Sequence, residues 1–330
     1  RAEAKAAEKA VPAAYPYWHV LKDREKPSNA RVAIRGDASN PGEEAPRRFL
    51  AILSADEPAP FRKGSGRQEL AEAIASAGNP LTARVMVNRI WKYHFGQGIV
   101  RSTSNFGQLG DRPTHPELLD YLASRFVEAR WSIKAMHREM LLSAAYQMSS
   151  EEGPAAAADP ENKLLSHANV VERMDAESLR DSVLAVAGTL DLAMGGEPKP
   201  LTDQFLRRAI YATVSRSNTD RTMLVFDFPD PNSSSEQRIT TVGPMQRLYF
   251  MNSQFVARQA KAFADRLLKE TPREKGDNRK RIVRAYQILF GRPAGEEEIR
   301  LGLEFLEEKE DAWPQYAQAL LGTTEFSAIQ

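Results

Sequence analysis

Apolar residues recur at three- and four-residue intervals through most of this chain, a spacing that predicts helices. The exception comes early. Arg31-Val32-Ala33-Ile34-Arg35-Gly36-Asp37 alternates apolar with charged residues and predicts a short strand, turned by Asn40-Pro41-Gly42. Residues 46–59 read as extended chain or loop with Phe49, Leu50, Ile52 and Leu53 directed inward. The period then becomes helical. A short helix spans Gln68 to Ser76 and stops at Gly78-Asn79-Pro80, and a stronger one spans Leu81 to Phe95. In the second, Leu81, Val85, Asn88 and Trp91 form one stripe and Met86, Ile90 and Tyr93 a neighbouring one, which predicts burial on most sides. Thr114-His115-Pro116-Glu117 fits a capping box opening a helix to about Ala129, with Leu118, Leu122, Phe126 and Val127 inside. Ser132 caps the next, with Ile133, Met136, Met140, Leu141 and Ala144 on its inner face.

Residues 151–160, with Gly153, Pro154, four alanines and Asp159-Pro160, form the linker candidate. Val170 to Asp191 is predicted helical and ends before Gly195-Gly196. Arg207 to Val214 and Met223 to Phe228 read as strands, Asp230 to Arg238 as a polar, serine-rich loop, and Pro244 to Leu268 as one long helix. A charged stretch, Lys269 to Lys280, precedes three closing helices. The expected fold is mainly α, with a small antiparallel β element from residues 31–37, 207–214 and 223–228. The expected organisation is an N-terminal segment 1–64 leading from an upstream domain, a helical half 65–150, and a second half 161–330 holding the β element.

The chain has 330 residues, enough for a sizeable core. Lys and Arg number 45 against 44 Asp and Glu, so there is no global field to attract nucleic acid or an anionic membrane. Cysteine is absent, which excludes disulfides, thiolate metal sites and thiol nucleophiles. No apolar stretch reaches the roughly 18 residues of a membrane span. The chain opens on Arg1, the start expected of a fragment or processed product, and residues 1–14 read as the exposed tail of a helix.

Three groups of residues could carry chemistry. His94, His115 and His137 stand near Glu117, Asp120 and Glu139, and imidazole with carboxylate suits a divalent metal, although the spacing fits no metal motif. Arg173, Asp175, Glu177, Arg180 and Asp181 form a charge cluster on one predicted helix. Glu177 and Asp181 there could do acid–base work, or pair structurally with the arginines. The loop from Asp227 to Arg238 holds Asp227, Asp230, Asn232, Ser235 and Arg238 between predicted elements, where binding residues gather. The competing reading is that Asp230 and Asn232 make Asx turns. Ser233, Ser234 and Ser235 lack the elbow that would activate a serine. Trp18 and Tyr17, in a loop, are placed to stack on a ligand or dock on an upstream domain.

The ordered motifs Asn79-Pro80-Leu81-Thr82-Ala83-Arg84-Val85-Met86-Val87-Asn88-Arg89, His94-Phe95-Gly96-Gln97-Gly98 and His115-Pro116-Glu117-Leu118-Leu119 are similar to the opening block of the PSD1 family, numbered 1553 among families of unknown function. Arg173 to Asp181, Phe226-Asp227-Phe228-Pro229-Asp230 with Arg238, Pro244-Met245-Gln246 with Asn252, and Glu325-Phe326 resemble its later motifs in the same order. The resemblance spans about residues 65–330 and assigns no reaction. It implies export from a planctomycete-type bacterium to the periplasm or cell surface, within a multidomain protein that often carries a haem c domain. No Cys-x-x-Cys-His occurs here, so haem is not attached within this chain and no cofactor is expected. The reading that follows is a non-catalytic binding or docking module whose partner is the upstream domain or a polysaccharide. The alternatives are a polysaccharide hydrolase using Asp227, Asp230, Glu177 and Asp181, or a redox partner for a haem domain elsewhere in the protein.

Overall fold

The computed structural model describes residues 20–151, 153–166, 168–235, 237–271, 277–307 and 312–329. Tyr17, Trp18 and the Ala/Lys/Glu-rich tail lie outside these residues, as do residues 272–276 of the charged stretch. The chain is mainly α: twelve helices occur among the described residues, with short antiparallel strand pairs. It divides into two compact units, Arg1–Met86 and Val87–Gln330.

In the first unit, β1 (Ala30–Ala33) pairs antiparallel with β2 (Pro41–Ala45), Arg31 standing opposite Glu44. Asp37 turns the connection by accepting from both the amide and the hydroxyl of Ser39. The predicted strand is therefore only half its expected length, because Ile34–Gly36 coils into a 3-10 turn. Leu50 and Ile52 were expected inside but are exposed, since the 3-10 turn at Ala51–Leu53 leaves only Leu53 half-buried. The helix α1 (Arg67–Ile74) follows Gly66, whose φ of +84° and contact with the Phe61 ring suit only glycine. Next comes α2 (Thr82–Phe95), which runs across the boundary into the second unit.

The second unit buries Val87, Asn88 and Ile90 of α2 but leaves Tyr93 86 % exposed, so the helix is one-sided and not buried all round. Asn88 acts as a strand partner would. Its Oδ1 accepts from the Val100 amide at 2.8 Å and its Nδ2 donates to the Val100 carbonyl at 2.9 Å. Two helices follow, α3 (Pro116–Glu128) and α4 (Ile133–Leu141). The expected capping box at Thr114 is absent. The helix opens on Pro116 with His115 as its uncapped boundary, and the Thr114 hydroxyl donates to the Ile99 carbonyl instead. Ser132 does cap α4, accepting from the Ala135 amide. The buried stripe of α3 is Leu119, Leu122, Ala123 and Phe126; the expected Leu122 and Phe126 are in it, whereas the expected Leu118 and Val127 are half-buried, and Ile133 and Leu141 of α4 are exposed.

The remaining elements surround one core. β3 (Glu172–Arg173) leads into α5 (Ala176–Ala187), capped by Asp175 and ended by Gly188 at φ +76°. Then come α6 (Arg221–Val225), α7 (Pro244–Asn252), α8 (Gln254–Glu270), α9 (Asp277–Phe290), α10 (Glu296–Glu307), α11 (Trp313–Leu321) and α12 (Thr324–Ser327). Last is β4 (Ala328–Ile329), which pairs antiparallel with β3. Helix α8 is central: Val256, Ala260, Phe263, Ala264 and Leu267 are at most 1 % exposed and pack among α5, α9 and α11. Burying such side chains contributes on the order of 1.5–3 kcal/mol each. The expected single helix over 244–268 is divided at Ser253, whose hydroxyl accepts from Val256 and starts α8. Glu325 of the closing motif takes two bonds from the Arg292 guanidinium, and Phe326 is buried.

Two predicted strands are corrected. Met223 to Phe228 is mostly α6 and its exit, because Asp220 accepts from the Thr222 and Met223 amides and so nucleates a helical turn that buries Met223 and Phe226. Residues 207–214 hold a 3-10 turn at Ala209–Tyr211 and two isolated bridges, Asp191 to Arg207 and Lys199 to Ala212. The Ala209 amide is taken by the Asp181 carboxylate, so it is withheld from a ladder.

Gly302 marks a close helix approach: a Cβ there would stand 2.6 Å from the Tyr316 hydroxyl oxygen and 2.8 Å from the Ile282 side chain. Gly302→Ala is expected to destabilise the protein by about 1–3 kcal/mol through overpacking, despite alanine's better helix propensity, as read by urea denaturation.

Candidate functional site

The site is built on a clasp. Arg173, at the end of β3, donates through Nη2 to Asp227 Oδ2 at 2.5 Å, through Nε to the Thr241 carbonyl, and through Nη1 to the Met174 carbonyl. Asp227 accepts in addition from the Thr241 amide at 2.9 Å and hydroxyl at 2.8 Å. Its backbone is left-handed, φ +64°, a conformation that aspartate tolerates better than most residues. The segment from Phe228 to Ile239 is thereby tied at its base. Within it, Asp230 accepts from the Asn232 amide in an Asx turn, Asn232 Nδ2 donates to the Arg216 carbonyl, and the Ser235 hydroxyl donates to the Gln237 carbonyl.

Beside the clasp lies a cleft of about 350 Å³. Leu201, Ile210, Met223 and Phe228 give it apolar walls, while Glu177, Asp181, Arg208 and Arg238 meet there. Helix α5 supplies the two acids one turn apart, so both emerge on one face. Arg238 grips Glu177 with two bonds of 2.6 and 2.7 Å and approaches Asp175 at 3.3 Å. Its guanidinium carbon stands 5.5 Å from the Phe228 ring centroid. Asp181 accepts from the Ala209 amide at 2.7 Å and only distantly, at 3.4 Å, from Arg208. Burial pushes the Asp181 carboxyl above its ordinary value, against these two partners. Arg180 points the other way, between the Phe205 and Phe255 rings, donating to the Thr202 and Phe205 carbonyls.

The four acids named from the sequence thus separate. Glu177 and Asp181 line the cleft; Asp227 is the clasp, and Asp230 shapes its own loop. Asp227 and Asp230 border an adjoining groove with Ser235 and Arg238, and Phe228 and Arg238 form the wall shared with the main cleft. Arg173 is not on the helix with Glu177, as its sequence spacing had implied, but precedes it in β3; Glu177 pairs with Arg238 and not with Arg173 or Arg180. Sequence reading missed Arg208 and Asp220. The signal for Asp220 was present in Asn218-Thr219-Asp220, a cap-forming cluster ahead of a short apolar run. Nothing local marks Arg208.

Two of the histidines pair with each other and the third stands apart. His94 Nε2 and His137 Nδ1 share a hydrogen bond of 2.7 Å, and the Tyr146 ring stands edge-on to His94. Both ring nitrogens of His115 are used, toward the Thr114 hydroxyl and the Leu164 carbonyl. Among the described residues no three His, Asp or Glu side chains gather to hold a metal. Trp18 lies outside the described residues.

Fold and site together define a mainly helical protein with a clasped loop beside a cleft lined by acids and arginines. Residues 66–306 match the family PSD1, described as a protein of unknown function (DUF1553), and the chain belongs to that family. No curated protein and no solved structure matches the chain. No helix among the described residues is long and apolar enough to cross a membrane.

Two measurements probe this architecture. Arg173 is 9 % exposed at its side chain and Asp227 20 %, so Arg173→Ala leaves a largely desolvated carboxylate unpaired. The expected loss is about 3 kcal/mol, with faster proteolytic cleavage within residues 228–240. Burial and the neighbouring His137 hold His94 below its ordinary value of 6.5. The native state then binds fewer protons than the unfolded chain, so this stability is present above pH 6.5 and is lost as pH falls through the depressed native value. His94→Gln is expected to flatten that dependence in denaturation curves between pH 7.5 and 5.

Proposed function

We propose that this chain is a non-catalytic binding module that holds a small ligand in the Asp181–Arg208–Arg238 cleft. The observation that carries the reading is the engagement of the acids there. Glu177 is held bidentately by Arg238, Asp175 and Asp220 cap helices, and Asp181 is anchored to the Ala209 amide. Acids so committed position and recognise; a cleft of this size with apolar walls and a few convergent polar groups suits a small molecule. Export to the periplasm or cell surface, membership of a larger multidomain protein, and docking on an upstream domain belong to the same proposal and are supported by the family resemblance. A redox role beside a haem domain has that resemblance alone in its favour.

One observation favours a second reading, polysaccharide hydrolysis. Glu177 and Asp181 stand one helical turn apart in environments of different polarity, and a carboxyl raised by burial is the kind that serves as a general acid.

Ala212→Trp fills the cleft from its wall. Saturation-transfer NMR with a set of phenyl- and cyclohexyl-bearing compounds, run beside short oligosaccharides, is expected to find compounds that bind wild type and lose at least tenfold affinity in Ala212→Trp. Binding indifferent to that substitution would sink the module reading. Reducing ends released from polysaccharide by wild type, but not by Glu177→Gln or Asp181→Asn, would replace it with hydrolysis.

A further inference from the structure

We propose that the cleft selects an organic cation, an ammonium group on an apolar body; this rests on the binding reading above. The first ground is the depth at which each charge sits. In the Arg208–Asp181 pair the side-chain exposures are 57 % for the arginine and 18 % for the acid; in the Arg238–Glu177 pair they are 40 % and 25 %. In both pairs the carboxylate is the more enclosed partner and the guanidinium the more exposed, while Asp175, 3.3 Å from Arg238, is as exposed as that arginine. A ligand that passes the rim meets negative charge.

The second ground is the charge count. Among the described residues, Asp175, Glu177, Asp181 and Asp220 line the cleft against Arg208 and Arg238, four acids to two bases. Arg180 lies behind the wall, close enough for its charge to feel Asp181 and Asp220, and counting it still leaves one acid in excess. The third ground is unused acceptor capacity. Asp181 Oδ1 is engaged by the Ala209 amide at 2.7 Å, but among the described residues the nearest donor to Oδ2 is Arg208 at 3.4 Å, longer than a well-formed charge-assisted bond. An ammonium donating to Oδ2 would complete the set, and the exposed Arg208 has solvent to retreat into. Burial also disfavours the ionised Asp181 carboxyl, and a bound cation offsets that cost.

The apolar body has its own surface. Ile210, Met223 and Leu201 offer aliphatic contact, and Phe228 offers an aromatic ring that already holds one cation, Arg238, at 5.5 Å. A neutral sugar would leave the excess acid without a counter-charge and would compete with Arg238 for the single aromatic ring among these residues.

The test is calorimetric titration of the whole chain with three probes that share a phenethyl body: phenethylammonium, phenethyl alcohol and 3-phenylpropionate. At pH 7 phenethylammonium is expected to bind at least tenfold more tightly than the alcohol, and the propionate more weakly than either. Asp181→Asn is expected to erase the preference of cation over alcohol, and Asp181→Glu, which keeps the charge, to retain part of it. Circular dichroism confirms that each variant is folded; if Asp181→Asn is not, the wild-type ranking and Asp181→Glu decide. Equal binding of cation and alcohol, with both lost in Ala212→Trp, overturns the charge preference and leaves the binding module standing. Tighter binding of the propionate overturns the preference outright. If no probe binds and Ala212→Trp changes nothing for any compound, both proposals fall.

Discussion

The pairing of Arg173 with Asp227 is the constraint on which the site depends. The two residues stand 54 positions apart, one where β3 turns into α5 and the other where the chain leaves α6. Taking both charges out of water would cost several kcal/mol if the pair stood alone. It does not. Thr241 supplies an amide and a hydroxyl to the acid and a carbonyl to the guanidinium. Gln246, itself buried at the start of α7, donates to that same carbonyl and to Val225. Each polar group in the knot thus has a partner, the condition under which a buried network specifies one arrangement. Arg238 then reaches Glu177 from a loop whose two ends are already tied.

Helices with strong apolar periodicity were legible in the sequence, and so was the family. What failed were the short segments. Met223 to Phe228 has strand-like composition, but the Asp220 side chain satisfies the first amides of a turn and decides the matter locally. Residues 207–214 alternate as a strand should, yet the partner of the Ala209 amide is a carboxylate from α5, which no window of sequence around position 209 contains. The long pattern from Pro244 conceals a break because Ser253 reads equally well as a helical surface residue and as a cap. At the site, Glu177, Asp181 and Arg238 could be named from sequence; that Arg238 and not Arg180 answers Glu177 depends on a contact 61 residues away.

Arginine over phenylalanine recurs around this site. Arg173 stands over Phe226, Arg238 over Phe228, and Arg180 between Phe205 and Phe255. A guanidinium suits such places because it is planar, weakly hydrated and charged at every accessible pH. Of these, Arg238 lines the cleft, so its wall carries one fixed positive charge on an aromatic support, with Arg173 and Arg180 supporting the structure behind it. The polarity of the cavity is set by which partner of each pair is nearer the solvent.

Position 227 shows how narrow the resulting choice is. Its backbone, at φ +64°, admits glycine and asparagine with little strain, but neither brings a negative charge to Arg173. Glutamate brings the charge on a longer arm and disfavours the backbone. Two demands that are each met by several amino acids are met together by aspartate alone, so a single side chain carries the geometry of a turn and the neutrality of a buried knot at once.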